Sequence, residues 1–126
     1  MSRVVDTSYW VEWIAGKWRS DAARKHMPQS ANCLVPTIVQ FELIKWARRE
    51  GGIEAAERVL GFTMLCNIIP LDTRIAASAA EFSRLHRLPT AYSIIYATAI
   101  GAEADLLTCD QHFEGLASVV YLPKEA

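Results

Sequence analysis

The chain has 126 residues, of which 52% are hydrophobic and 21% are charged, and its formal net charge at pH 7 is −1. This length suits one compact domain over residues 1–126, and the composition argues against an intrinsically disordered chain or a strongly basic nucleic-acid binder. A nuclease with a local basic patch is still compatible with this charge, because binding depends on where the charges lie.

Short apolar runs alternate with helical patterns along the sequence. Five runs are typical of buried strands, at Arg3–Asp6, Cys33–Val35, Asn67–Pro70, Leu106–Thr108 and Ser118–Val120. Helical patterns lie between them, over Ser8–Ala15, Ser20–Met27, Thr37–Glu50, Ile53–Phe62, Asp72–Leu85 and Thr90–Gly101. This alternation predicts an α/β fold, a three-layer α/β/α sandwich around a parallel sheet of four or five strands.

Residues with strong cap or stop preferences mark the expected helix ends. Gly16 ends the first helix, and Gly51-Gly52 interrupts the long helical stretch in the middle of the chain. The segment Thr37–Gln40 has the form of a capping box, with Thr37 as its first residue. Asp72 and Thr90 are the expected N-caps of the two later helices.

The amino-terminal segment and the cysteines bear on the compartment. The sequence MSRVVDTSYW lacks the basic leader and apolar run of a secretory signal, and no stretch approaches the roughly 18 apolar residues of a membrane span. The three cysteines contain no C-x-x-C spacing. We therefore expect a cytoplasmic protein without a membrane contact, a disulfide framework or a zinc site.

Three acidic residues fall where the carboxyl ends of the strands are expected. Asp6 ends the first strand, Asp110 follows the strand Leu106–Thr108, and Glu42 lies in the first turns of the helix after the second strand. Functional sites of parallel α/β sheets gather at that edge, so we expect these side chains to lie close together. Carboxylates suit Mg²⁺ and Mn²⁺, which assist phosphodiester hydrolysis. Taken singly, each acid is also typical of a turn or a helix cap.

Four segments of the sequence, in this order, carry a resemblance to a known family. They are Val5–Ser8, Val39–Leu43, Ser93–Ala99 and Leu106–Phe113. Together they resemble the PIN-domain family, in the branch of the VapC-type ribonuclease toxins of toxin–antitoxin modules, and the resemblance covers nearly the whole chain.

The resemblance implies an activity and a set of site residues. A VapC-type protein is expected to be a Mg²⁺-dependent endoribonuclease, with Mn²⁺ as a substitute. Its catalytic and metal-binding acids map onto Asp6, Glu42 and Asp110. Thr108 matches a polar family position two residues before the last acid, and Ser8 is a further accessory candidate.

One acid that the resemblance leads us to expect is absent. The family position directly before Ser93–Ala99 is usually Asp, and here it is Tyr92. The substitution removes one negative charge at pH 7 and adds a bulky neutral phenol, which binds Mg²⁺ poorly. Three explanations stand: an inactivated form, selected or engineered because the intact toxin harms its host; a natural protein that kept only a binding role; or a tolerated tyrosine assisted by Asp105. We favour the first.

The resemblance also implies partners. They are a cognate VapB-like antitoxin, an RNA substrate, a second copy of the chain in a homodimer, and operator DNA reached only through the antitoxin. VapC-type toxins hold an antitoxin tail in a groove near their early helices. Tyr9, Trp10, Trp13 and Trp46 therefore fit either the core or that groove, since aromatic anchors are enriched in interfaces.

Basic residues on helix faces have two interpretations. Lys45 and Arg49 follow Glu42 by three and seven residues, so all three share a helix face. They are candidates for RNA phosphate contacts, and the alternative is a solvated surface. The same two interpretations apply to the basic residues Lys17, Arg19, Arg24 and Lys25.

A rival function belongs to a different class, a catalytically inactive PIN-like module that acts through its antitoxin. His112, two residues after Asp110, has two interpretations, a general base or a solvated loop histidine, and the second is the more usual for a loop. The substitution Tyr92→Asp discriminates between the two functions, because only a disabled nuclease would gain metal-dependent cleavage.

Overall fold

The computed structural model describes residues 1–18 and 20–125, so that Arg19, one of the basic candidates, lies outside the described residues, as does Ala126. The helices and strands follow one another as β1 (Arg3–Val5), α1 (Thr7–Ile14), α2 (Asp21–Lys25), β2 (Cys33–Pro36), α3 (Thr37–Thr63), β3 (Asn67–Ile69), α4 (Thr73–His86), α5 (Thr90–Gly101), β4 (Asp105–Thr108) and β5 (Val119–Tyr121). Short 3-10 turns precede β2 and follow β4, at Ser30–Asn32 and Gln111–Phe113.

The five strands form one parallel sheet in the order β3-β2-β1-β4-β5. The central strand β1 pairs with both neighbours, so that Val4 lies opposite Leu34 on one side and Leu106 on the other. Along the chain, the sheet first grows from β1 to β2 and β3 on one side. The connection from β3 then returns past β1 to place β4 on the other side. Right-handed crossovers therefore place α1–α3 on one face and α4–α5 on the other, which confirms the predicted three-layer sandwich.

The core lies where the two helical layers meet the sheet. Val4, Val5, Val35, Leu106 and Leu107 on the three central strands are fully buried. Strands covered on both faces have almost continuous apolar runs, because neither side of the pleat faces water. The same runs carry Asp6 and Asp110 just past their ends, so the core positions the polar edge of the sheet.

Of the three predicted N-caps, the structure confirms Asp72 and differs at Thr37 and Thr90. Asp72 does cap α4, since its carboxylate accepts a hydrogen bond from the Ile75 N–H at 2.8 Å. The capping box at Thr37 is wrong: Pro36 is the N-cap of α3, and the Thr37 hydroxyl accepts from the Leu71 N–H at 3.2 Å. The hydroxyl is used by the loop after β3, a tertiary contact that outweighs the local one.

The expected cap of α5 shifts by one residue. Pro89 occupies the N-cap position with an extended backbone, and Thr90 is the first helical residue. Proline has a fixed φ and no N–H to donate, so it suits a position just before the first helical turn.

A glycine interrupts α3 as the sequence predicted. Gly52 has φ 78° and ψ −169°, which is not helical and which glycine adopts without the strain of a Cβ. It divides α3 into two helical segments. Side chains of both segments, among them Trp46 before the glycine and Phe62 after it, line one cavity beside α1.

None of the helices in the described part of the chain combines the length and the hydropathy that a membrane crossing requires.

Candidate active site and the neighbouring groove

Asp6 occupies the centre of the candidate site, at the carboxyl end of the central strand. Its side chain is buried, with 2% exposure for the residue. Although Asp6 holds the N-cap position of α1, its carboxylate makes no capping bond to that helix. Instead, its Oδ2 accepts from the Ser8 hydroxyl at 2.6 Å and from the Thr108 hydroxyl at 2.9 Å. The cap interpretation therefore does not explain this carboxylate.

The surroundings of Asp6 favour its protonated form. Burial raises the pKa of Asp6 to about 6, and the negative charges of Asp110 and Glu42 add to this rise. The hydrogen bonds from Ser8 and Thr108 act in the opposite direction, because they stabilise the carboxylate. The three acids that the sequence singled out thus act on one another electrostatically.

Thr108 connects Asp6 to Asp110 across two neighbouring strands. Its hydroxyl donates to Asp6, accepts from the Asp110 N–H at 2.9 Å, and lies 3.3 Å from the Ser8 hydroxyl. Thr108 is fully buried at the end of β4. The accessory candidates Thr108 and Ser8 are therefore brought together with Asp6 and Asp110 in one hydrogen-bonded network.

Both oxygens of Asp110 accept hydrogen bonds. Its Oδ1 accepts from the His112 N–H at 2.9 Å and lies 2.6 Å from His112 Nδ1, while its Oδ2 accepts from the Tyr92 hydroxyl at 2.8 Å. Burial alone would raise the pKa of Asp110, but the hydrogen bonds from His112 and Tyr92 outweigh it and lower the pKa. Asp110 is therefore held as a carboxylate in the absence of a cation.

Tyr92 lies in the first turn of α5 and points its hydroxyl into the acidic edge, as the sequence predicted. Burial raises the pKa of its phenol, and the charges of Asp110, Asp6 and Glu42 raise it further. The phenol consequently stays protonated and acts as a donor to Asp110. It occupies space beside Asp110 where the resemblance predicted a carboxylate.

Glu42 reaches the site from the first turns of α3. Its Oε1 accepts from the Thr7 hydroxyl at 2.6 Å, and Thr7 follows Asp6 directly. Sequence reasoning missed Thr7, although its place between Asp6 and Ser8 in a polar run was a usable signal. Thr7 links Glu42 to the start of α1 and therefore to the end of β1.

The donor set of this site is compatible with Mg²⁺ or Mn²⁺, since every candidate ligand is a hard oxygen. Among residues 1–18 and 20–125, no hydrogen bond reaches Asp6 Oδ1 or Glu42 Oε2, whereas both oxygens of Asp110 are occupied. No three His, Cys, Asp or Glu side chains in this part of the chain stand close enough to form a preformed metal cage. The chemistry of the donors therefore fits a divalent ion, while the described side chains are not gathered into a ready-made site for one.

Two sequence interpretations change with the structure. His112 is not simply solvated, because it contacts Asp110 and stacks on Tyr92 with ring centroids 4.4 Å apart. Asp105 stands at the amino end of β4, opposite the site, and pairs with Arg3 through a 2.7 Å contact. It is therefore not placed to assist Tyr92.

The basic candidates of α3 lie outside the hydrogen-bonded network. Lys45 is exposed and its Nζ lies 5.9 Å from the centroid of the Phe41 ring. Arg49 has a 68% exposed side chain, 3.8 Å from Glu50. Both are surface cations on the helix that carries Glu42, and neither bonds to it.

The aromatic residues fall into two groups, one in the core and one along a groove between α1 and α3. Tyr9 belongs to the core, where it stacks on Trp18 and donates a hydrogen bond to the Ala23 carbonyl. The other three tryptophans of the sequence line a cavity of about 470 Å³ between α1 and both segments of α3, together with Ile14 and Phe62: Trp10, Trp13 and Trp46.

The groove combines a buried polar group that has no partner in the described part of the chain with apolar side chains that are open to solvent. Trp10 is 1% exposed, yet its indole Nε1 has no hydrogen-bond partner among the described residues. Phe62 and Ile14 expose 50% and 41% of their surfaces at the same cavity. A buried donor without an acceptor costs free energy. The exposed Phe62 and Ile14 leave apolar surface open at the same groove.

Comparison with known proteins assigns the family. The family model of the PIN domain matches residues 3–119. The chain belongs to the PIN-domain family. No protein with a curated function matches the sequence.

Solved structures with the same fold come from toxin–antitoxin systems. A toxin–antitoxin complex from Klebsiella pneumoniae aligns with a TM-score of 0.84 at 23% identity, over 99% of this chain and 100% of that chain. A VapBC complex from Rickettsia felis, bound to a DNA fragment from its promoter, gives 0.76 at 17% identity, over 99% and 100%. A VapC toxin from Mycobacterium tuberculosis, described as cleaving the sarcin–ricin loop, gives 0.76 at 18% identity, over 97% and 99%. This PIN domain therefore shares its fold with VapC toxins over nearly its whole length.

Proposed function

We propose that this PIN domain is a VapC-like, Mg²⁺-dependent endoribonuclease toxin that acts in the cytoplasm and whose activity is impaired by Tyr92. The observation that carries the proposal is the edge of the sheet where Asp6, Glu42 and Asp110 interact, with the Tyr92 phenol bound to Asp110. The sarcin–ricin-loop-cleaving relative of the same fold supports an RNA substrate.

Asp6, Glu42 and Asp110 are the residues that would hold a divalent ion. Bound Mg²⁺ or Mn²⁺ supplies an activated water and stabilises the departing oxygen of a phosphodiester. Ser8 and Thr108 orient the Asp6 carboxylate by their hydrogen bonds, and burial keeps bulk water from this part of the site. Thr7 orients Glu42 in the same way.

Tyr92 weakens this site in two ways. It brings no negative charge, and its hydroxyl occupies the Asp110 Oδ2 that a cation would need. We therefore expect one weakly bound divalent ion, negligible RNA cleavage and an ordinary melting transition. Isothermal titration with Mn²⁺ measures the number of ions, and a second strong site would contradict this account.

RNA is expected to approach along the exposed cations of α3. Lys45 and Arg49 project from the helix that carries Glu42, and exposed cations attract phosphates without selecting a sequence. The salt dependence of RNA binding by Lys45→Ala and Arg49→Ala measures this contribution. Unchanged salt dependence in both variants would remove these residues from the RNA path.

The proposed partner is a VapB-like antitoxin whose segment occupies the groove, in an assembly built on a homodimer of this chain. The exposed apolar rim of the groove, which includes Phe62 and Ile14, supports a protein segment as the occupant. An antitoxin Arg or Lys at the acidic site would offset the clustered carboxylates. Operator DNA is reached only through the antitoxin. Light scattering with the co-expressed antitoxin tests this, and a monomer with no retained partner would count against it.

The deciding experiment compares the chain with Tyr92→Asp and Tyr92→Phe in an RNA cleavage assay with Mn²⁺ and with EDTA. We expect Tyr92→Asp to gain EDTA-sensitive cleavage of about 10²–10³-fold, the size of effect known for one preorganised electrostatic group, because it adds a carboxylate that would help to hold the divalent ion. Tyr92→Phe removes the hydroxyl without adding a carboxylate and should gain far less. Equal, robust, EDTA-sensitive cleavage by the unaltered chain and by Tyr92→Asp would show that Tyr92 does not disable the site.

A second candidate function is a PIN-like binding module that is inactive and acts only through its antitoxin. The groove favours it, because the partner surface is intact irrespective of the acidic site. Retention of an antitoxin together with no cleavage by Tyr92→Asp would support this function over the first.

A further inference from the structure

Three aromatic rings pack against one another in a row that leads from the core to the edge of the acidic site. Phe113, which is fully buried, meets the Tyr92 ring edge to face with centroids 5.3 Å apart. Tyr92 in turn stacks on the His112 ring, with centroids 4.4 Å apart and an interplanar angle of 16°. His112 is the outermost ring, and 52% of its side chain is exposed.

The orientation of the His112 ring is constrained on two sides. Its Nδ1 and its backbone N–H both contact Asp110 Oδ1, at 2.6 and 2.9 Å, and the Tyr92 ring covers one face. The exposed part of the ring therefore lies away from Tyr92. A ring already fixed in this way loses little conformational entropy when a planar ligand packs against it.

We propose that the exposed face of His112 is a stacking platform for one unpaired base of a single-stranded RNA bound at the acidic site. The inference rests on the proposed function, which supplies RNA as the substrate, and adds the residue that holds a base beside the site. Unpaired RNA bases commonly stack on aromatic side chains, including histidine.

The charge of the site explains why stacking is useful there. Asp6, Glu42 and Asp110 repel the phosphates of an incoming strand, and the cations Lys45 and Arg49 lie outside their network. A base is neutral, so its contact with an aromatic ring is not opposed by these carboxylates. Because His112 touches Asp110 directly, a base on its exposed face places the attached phosphodiester near the acids.

A second exposed histidine offers a matched control. His86, at the end of α4, stacks on Phe82 with centroids 6.0 Å apart, but its other ring contact is Tyr96 and it has no carboxylate partner among the described residues. It therefore shares the ring and the stacking with His112, without a place in the acidic site.

The experiment measures equilibrium binding by fluorescence anisotropy, with Tyr92 retained so that cleavage is negligible. The probes are a short labelled oligoadenylate and an abasic ribose–phosphate chain of the same length, each in EDTA and in Mn²⁺. The variants are His112→Ala, His112→Phe and His86→Ala, with thermal melts to verify folding. His112→Phe keeps a ring while losing the contact with Asp110.

We expect His112→Ala to bind oligoadenylate roughly 5- to 150-fold more weakly, the range measured for removal of one base–aromatic stack. It should bind the abasic chain as the unaltered protein does, and His112→Phe and His86→Ala should keep oligoadenylate affinity. An equal loss on the abasic chain would instead indicate a contact to phosphate and overturn the platform.

Two further outcomes separate this inference from the proposed function. RNA binding by the unaltered protein that His112→Ala leaves unchanged would overturn the platform alone. Failure of the unaltered protein and of Tyr92→Asp to bind any RNA, with or without Mn²⁺, would overturn the ribonuclease function and the platform together.

Discussion

The acidic site and the aromatic groove satisfy their polar groups differently. At the acidic site, hydroxyls and an imidazole from the chain itself bond to Asp6, Glu42 and Asp110. In the groove, the buried Trp10 Nε1 lacks an acceptor in the described residues, and apolar side chains are open to solvent. The acidic side chains are thus bonded by donors of the chain itself, Tyr92 among them, whereas the groove leaves apolar surface open to solvent.

The most damaging substitution should be one at the acidic site. In the Tyr92→Asp background, Asp110→Asn should reduce RNA cleavage by about 10²–10³-fold, the size of effect known for removal of one preorganised electrostatic group, because a carboxylate that would hold the divalent ion is lost. Trp13→Ala in the same background should leave the cleavage rate unchanged, because the groove takes no part in the chemistry. Rates from single-turnover assays measure both, and a similar fall in both variants would contradict the separation of the two regions.

The next effect concerns stability and pH. The rise of the Asp6 pKa to about 6 corresponds to about 3 kcal/mol of folding free energy, because the buried carboxylate resists ionisation that the unfolded chain permits. This stability is present below the pKa of the unfolded chain, near pH 4, and is lost as the pH rises through 6. Asp6→Asn should therefore match the unaltered chain at pH 4 and exceed it by up to about 3 kcal/mol at pH 8.

Urea unfolding at a series of pH values measures this difference. Thr108→Val serves as a control that removes a hydrogen bond to Asp6 without removing the carboxylate, and it should be less stable than the unaltered chain at pH 8. A constant difference between Asp6→Asn and the unaltered chain across the whole range would exclude Asp6 as its source.

A smaller effect is expected from substitutions of the aromatic residues that line the groove. Trp13→Ala and Trp46→Ala should weaken binding of the cognate antitoxin by about 2 kcal/mol each, the lower bound for aromatic anchors at an interface. Both residues are only partly buried, so the free protein should keep its fold. Calorimetric titration with the antitoxin segment measures the loss, and Phe41→Ala, an exposed aromatic that does not line the cavity, is the control.

The smallest effect isolates the phenol of Tyr92. Tyr92→Phe removes one hydrogen bond to Asp110 and should cost about 1 kcal/mol of stability at pH 7. That bond helps to lower the pKa of Asp110, so its contribution to the free energy of unfolding is present above the usual aspartate pKa. The contribution is lost as the pH falls through the lowered pKa of Asp110 in the folded protein. Unfolding at neutral and at strongly acidic pH checks the sign; a larger loss in acid would refute it.

Local capping signals were the least reliable part of the sequence interpretation. Asp72 caps α4 as expected, while the hydroxyl of Thr37 bonds to a loop that follows β3. Both residues have strong cap preferences, so the local sequence alone does not distinguish them. The partner of Thr37 is 34 residues away, and only the packing of α3 against β3 brings it within reach.

Several features could be predicted from the sequence alone: the order of the strands and helices along the chain, the break at Gly52, and the location of Asp6, Glu42 and Asp110 near the ends of elements. Apolar periodicity and glycine preferences are local properties, so they can be read along the chain. The tertiary structure alone decided that Thr7 holds Glu42, that Asp105 faces away from the site, and that His112 stacks on Tyr92. These contacts join residues on different elements, and their geometry depends on how the sheet and both helical layers pack together.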